Sequence, residues 1–169
     1  MMRFLAFMLL LLTAQSRVGA EPVPEYVMKA TYLYNFALYT EWPAGMGNDI
    51  HLCVVGEDRF GGALQTINGK SVNGHNLVVQ NKALNGNFTD CHMLYLGEAE
   101  ASRSQETLKQ ISGLPILTVT EGGIPLYSGI MISLLVEDKR LAFKVNASAA
   151  RKAQLNFSSK LLRLASSVY

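Results

Sequence analysis

Two rhythms of apolar and polar positions run along this chain. Apolar residues recur at Val27, Ala30, Leu33, Tyr34, Ala37 and Leu38, the spacing of one helical face, which predicts a helix over residues 24–40. Pro24 suits its first turn, and Trp42-Pro43 ends it, because a residue before proline is pushed out of the helical region. Short apolar runs then predict strands over 50–55, 77–80, 91–96, 116–120, 130–136 and 141–145. Between them lie a weak helix over 59–67, interrupted by Gly61 and Gly62, and a polar-faced helix over 101–111. Two further helices, 147–155 and 158–168, follow the last strand. Alternation of strands and helices predicts an α/β domain of three layers. Its mixed, mostly parallel sheet holds about six strands flanked by helices. The charged turn Glu137-Asp138-Lys139 joins the last two strands into an antiparallel edge.

The chain start has a different pattern. Arg3 precedes an uncharged apolar run from Phe4 to Leu12, followed by a polar stretch and the small-residue ending Val18-Gly19-Ala20. That is the layout of a secretory signal, with cleavage expected after Ala20, and the run is short of the about 20 residues a membrane-spanning helix needs. Residues 21–169 are then one domain. Removing the leader changes the charge. Of 15 Lys+Arg and 13 Asp+Glu, Arg3 and Arg17 leave with it, so the exported domain balances 13 against 13. A balanced surface gives no electrostatic ground for nucleic-acid binding.

Two cysteines remain, Cys53 and Cys91. An even count in an exported protein suggests a disulfide, worth about 3–4 kcal/mol for a loop of this length in the entropic account. Buried free thiols are the alternative. His51 and His92 flank the cysteines at spacings that match no standard zinc pattern. Nucleophile motifs are equally absent: Ser158-Ser159-Lys160 reads as a cap for the last helix, and no G-x-S-x-G elbow occurs. No enzyme, cofactor or metal follows from these residues.

Two features point to binding. Gly56-Glu57-Asp58-Arg59-Phe60-Gly61-Gly62 joins a strand to a helix, where α/β proteins hold anions, although its spacing fits no phosphate-loop motif and a plain turn capped by Asp58 explains it as well. Arg59, with Ser159 and Lys160, forms the candidate ligand-binding set. The first helix also carries Tyr32, Phe36 and Tyr39 on a stripe of their own, with Trp42 beyond. An exposed aromatic patch of this kind would mark a protein partner, whereas burial of both stripes would make it core.

Several segments, in order, resemble the YfiR family of small periplasmic proteins. They are Lys29-Ala30-Thr31-Tyr32-Leu33-Tyr34-Asn35-Phe36-Ala37 through Trp42-Pro43, Leu52-Cys53-Val54-Val55-Gly56, Cys91-His92-Met93-Leu94-Tyr95-Leu96, Ile116-Leu117-Thr118-Val119-Thr120, and Ser158-Ser159-Lys160-Leu161-Leu162-Arg163-Leu164-Ala165. Departures fall at Ser128-Gly129-Ile130-Met131-Ile132 and Ala153-Gln154-Leu155. The resemblance implies a periplasmic, non-catalytic negative regulator. It would bind the periplasmic sensor part of an inner-membrane diguanylate cyclase and restrain cyclic-di-GMP signalling and biofilm formation. It also implies pairing of Cys53 with Cys91 and a possible homodimer. The alternative is a small-ligand binder working with another membrane partner, a histidine kinase or an outer-membrane receptor.

Overall fold

The computed structural model describes residues 24–122 and 129–169. The expected leader and its cleavage position lie outside the described residues. Helix α1 spans Glu25–Leu38, with Pro24 as its N-cap. Strands β1 (Thr40–Glu41) and β2 (Asp49–Val55) follow, then a 3₁₀ turn over Gly61–Thr66. The hairpin β3 (Ser71–Val72) and β4 (His75–Lys82) turns at Asn73-Gly74, both with positive φ. Next come β5 (Met93–Leu96), a 3₁₀ segment Glu98–Arg103, α2 (Ser104–Gln110) and β6 (Leu117–Glu121). The chain ends through β7 (Ile132–Glu137), β8 (Arg140–Val145), α3 (Ala147–Lys152), β9 (Asn156–Phe157), α4 (Ser159–Leu164) and β10 (Ser167–Val168).

Eight strands form the main sheet, in the order β10-β8-β7-β6-β5-β2-β4-β3. The four central strands β4, β2, β5 and β6, together with β7, run parallel to their neighbours in that order; β8 is antiparallel to β7 and β3 to β4. A separate antiparallel ribbon joins β1 to β9. The α/β class and the mostly parallel sheet are therefore as the sequence predicts.

Alternation along the strands sorts side chains onto two faces, and both are covered, giving three layers. Ile50, Leu52, Val54, Met93, Leu117, Val119, Ile132, Leu134 and Phe143 share one core with Ala30, Leu33 and Phe36 of α1 and Leu161 of α4. Cys53, Val55, Leu94 and Leu96 face the other way, against Phe88, Leu108 and Ile111.

Four local expectations change. The stretch 59–67 is 3₁₀ and not α-helical, since Gly61 adopts φ +54 and a second glycine follows. Asp58 does not cap it; its carboxylate accepts the Phe60 N–H at 2.9 Å and closes a turn. The last helix stops at Leu164, because Ala165 turns extended and the chain enters β10. That strand pairs parallel with β8, so the β7–β8 hairpin does not form the sheet edge.

Candidate functional site

From β2 the chain goes to β4 on one side, then returns to β5 on the other. Such a reversal leaves a crevice at the carboxyl ends of the strands, the usual ligand position in open α/β sheets. Here β2, β5 and β6 are followed directly by Gly56, Gly97 and Gly122. A Cβ on Gly56 would lie 2.1 Å from the Glu100 carboxylate, and one on Gly122 would lie 2.8 Å from the Glu98 side chain. Glycine thus lets two glutamates press onto the strand ends. Beside them lies a cavity of about 330 Å³ lined by Glu25, Tyr26, Lys29, Arg59, Glu98 and Glu121, with Val136 and Leu141 on an apolar wall.

Lys29 is the unexpected member. It sits on the buried stripe of α1, one turn before Leu33, and is 6% exposed. Its ammonium donates to the buried Glu121 carboxylate and pairs with Glu25 at 2.5 Å. Burial pulls its pKa down, but the hydrogen bonds and charges of Glu121 and Glu25 outweigh that, and the net shift is upward. Tyr95 reaches the same place, edge-on to Phe60 at 5.0 Å. Its hydroxyl is buried near Glu121 without an aligned hydrogen bond. Burial first, and the Glu121 charge second, push its pKa far up. The sequence signal for this cluster was a charge on an apolar stripe and another at the end of a buried strand.

Arg59 lies at the rim, 5.9 Å over the Tyr26 ring, and has no ion pair among the described residues. Three cavity carboxylates oppose Arg59 and Lys29, and a six-residue 3₁₀ segment offers little dipole. This balance disfavours a phosphate-like polyanion. Ser159 and Lys160 do not join Arg59. Lys160 Nζ stands 4.7 Å over Tyr39, beyond the last residue of α1, whereas Arg59 meets Tyr26 in its first turn. The 14-residue helix separates them by about 20 Å. The proposed three-residue ligand set is therefore split between two places. Ser158, as expected, caps α4 by accepting the Leu161 N–H at 3.2 Å.

The aromatic stripe divides as well. Phe36 is 1% exposed and packs edge-on to Phe143 at 5.0 Å, so it offers no surface to a partner. Tyr32 is half-buried; its hydroxyl donates to the Leu141 carbonyl at 3.2 Å. Tyr39 and Trp42 are half-buried around the β1–β9 ribbon, close in sequence to Thr40, which pairs with Phe157. This ribbon brings Tyr39 and Lys160 together at one end of α1.

Cys53 and Cys91 form a disulfide with Cα atoms 5.9 Å apart, tying β2 to the segment that leads into its parallel neighbour β5, and both are buried on the second face. The bridge takes both sulfurs, so the flanking histidines have no thiolate to share a metal with. His51 and His92 instead meet edge-on, with ring centres 5.4 Å apart.

The family described as YfiR/HmsC-like matches residues 26–166. Among solved structures, a conserved domain protein from Vibrio cholerae O1 biovar El Tor has a similar fold, with a TM-score of 0.59 at 13% identity. The likeness covers 85% of this chain and 60% of that one, and at this identity it speaks to the fold alone. No helix among the described residues is long and apolar enough to cross a membrane.

Proposed function

The chain belongs to the YfiR/HmsC-like family, and from that premise we propose that it is a periplasmic regulatory protein that represses an inner-membrane diguanylate cyclase through the periplasmic sensor region of that enzyme. The observation that carries this reading is the family match across residues 26–166. A disulfide suited to an oxidising compartment supports it. Repression requires the protein to bind the inactive form of its partner more tightly than the active form. The surface proposed for that contact is the β1–β9 end of α1, with Tyr39 and Trp42, and Tyr32 along the same helix. Phe36 shapes it from beneath. Deleting the gene should raise cyclic-di-GMP and surface attachment, and Tyr39→Ala on a plasmid should restore the low level poorly. An unchanged cyclic-di-GMP level in the deletion strain refutes the repressor reading.

A second reading, a small-ligand binder acting with a different membrane partner, is favoured by one observation. The switch-point cavity is lined by Arg59, which has no ion pair among the described residues. Calorimetry with amino acids, and with nucleotides as the polyanions the site should reject, comparing the wild type with Arg59→Ala, tests it. Equal heats in both proteins remove Arg59 from any site.

A further inference from the structure

All three histidines of the chain gather at the amino ends of the parallel strands, opposite the switch-point crevice. His51 lies in β2, His75 opens β4, and His92 immediately precedes β5. His92 is bonded in one protonation state only. Its Nδ1 accepts the backbone N–H of His51 at 3.0 Å, so that nitrogen carries no proton. Its backbone holds the surrounding strands: its N–H donates to the His51 carbonyl, and its carbonyl accepts from Leu117 N–H, each at 2.9 Å. The same carbonyl accepts the Trp42 indole N–H at 3.2 Å. Five residues on, the other end of this loop is held by His75, whose Nδ1 lies 2.8 Å from the Gly47 carbonyl and donates to it. Two histidines thus tether residues 42–47, which roof a cavity of about 280 Å³ lined by Trp42, Pro43, Met46, Ile50, Asn73 and His75.

The two tethers respond differently to acid. A protonated His75 still donates through Nδ1. A protonated His92 carries hydrogen on Nδ1, facing the His51 N–H that it bonded before, and leaves that donor without an acceptor. The groups around it add to the cost. His51, stacked edge-on, and His75 both oppose a second positive charge, while Asp90 favours it but is engaged by Lys82 at 2.8 Å. Trp42 and Leu117, the other contacts, are neutral. Burial, and then His51 and His75, hold the His92 pKa below the ordinary histidine value against the opposing pull of Asp90.

We propose that His92 is a proton-sensitive latch: acid breaks the His51–His92 contact, shifts the carbonyl that anchors Trp42, and opens the loop over the cavity. The device is a regulatory one, and it stands whether or not the loop belongs to a partner surface. Because the folded protein binds this proton more weakly than the unfolded chain, its stabilisation is complete above about pH 6.5 and declines as pH falls towards the folded value.

The chain has one tryptophan, and it is the reporter. Fluorescence of the wild-type protein should shift to the red, and quenching by iodide should rise at least twofold, as pH is lowered from 7.5 to 4.5. NMR titration of the His92 ring should give the same midpoint. His92→Asn places an amide oxygen near the position of Nδ1 and cannot be charged, so its Trp42 emission should be flat across that range. His75→Asn should keep the transition. A wild-type emission that stays constant while His92 titrates overturns the proposal, as does a transition of equal size in a folded His92→Asn protein. If His92→Asn does not fold, the comparison of ring and indole midpoints in the wild type decides alone.

Discussion

Replacing Lys29 by methionine is the sharpest test of how this fold handles a buried charge. The Lys29 and Glu121 side chains are 7% and 8% exposed, so both are largely withdrawn from solvent in the folded state. Removing the ammonium keeps most of the side-chain volume but strands the carboxylate, which costs about 3–5 kcal/mol for a buried pair. Glu25 changes the sum little: its side chain is 54% exposed, and a helical i,i+4 pair contributes about 0.3–0.5 kcal/mol. For a domain of this size, each kcal/mol moves Tm by about 2–4 °C, so Lys29→Met should melt about 10 °C below wild type. Adding Glu121→Gln should recover most of the loss, since no charge is then left unpaired. Urea unfolding at pH 7, followed by circular dichroism, measures both variants. If Lys29→Met lies within 1 kcal/mol of wild type with an unchanged m-value, the pair is not desolvated and the argument fails.

Tyr95→Phe should keep or raise stability by up to about 1 kcal/mol, because it deletes a buried hydroxyl with no aligned partner. Since the folded protein holds the Tyr95 proton more tightly, wild-type stability should fall above about pH 10, and this variant should lose less over the same range. Cys53→Ser with Cys91→Ser should cost about 4 kcal/mol in urea, from the 38-residue separation; an unchanged midpoint, with thiols titratable in the oxidised wild type, refutes the bridge. Gly56→Ala should destabilise by roughly 1–3 kcal/mol, as its φ of +88 and the Glu100 carboxylate both resist a methyl group. Pairing it with Glu100→Ala should recover only the steric part, leaving the backbone strain to appear in thermal melts.

Much of the architecture was legible because strands buried on both faces are unbroken apolar runs, as in Leu52–Val55 and Met93–Leu96, and helices between them carry the longer period. The pairing of cysteines followed from their number and from the family resemblance. What escaped the sequence was held together by distant partners. β1, β9 and β10 are two residues each, too short for periodicity, and exist because Thr40 meets Phe157 and Ser167 meets Lys144. The Lys29–Glu121 pair spans 92 positions, and nothing local marks it beyond a charge in an apolar stripe. Arg59 and Lys160 looked combinable because spacing along a chain says nothing of which end of α1 each will meet. Tyr32 and Phe36 share a helical stripe, yet only the second is enclosed, since the stripe crosses from the sheet towards its border.

That border gives the Tyr32 hydroxyl a further meaning. Along β8, the carbonyls of Phe143 and Val145 point outward and accept N–H groups from Ser166 and Tyr169. Leu141 lies two residues earlier in the same phase, and its carbonyl accepts the Tyr32 hydroxyl. A side chain thus completes the ladder where the backbone of β10 runs out. On the opposite border, the Asn68 side chain does the same for the Val79 N–H at 2.9 Å. Open strand borders invite stacking of one chain on another, and both of these are plugged by side chains from within the fold. Tyr32 thus closes from within the fold a rung of the β8 border that β10 does not reach, and Tyr32→Phe would leave the Leu141 carbonyl without this donor.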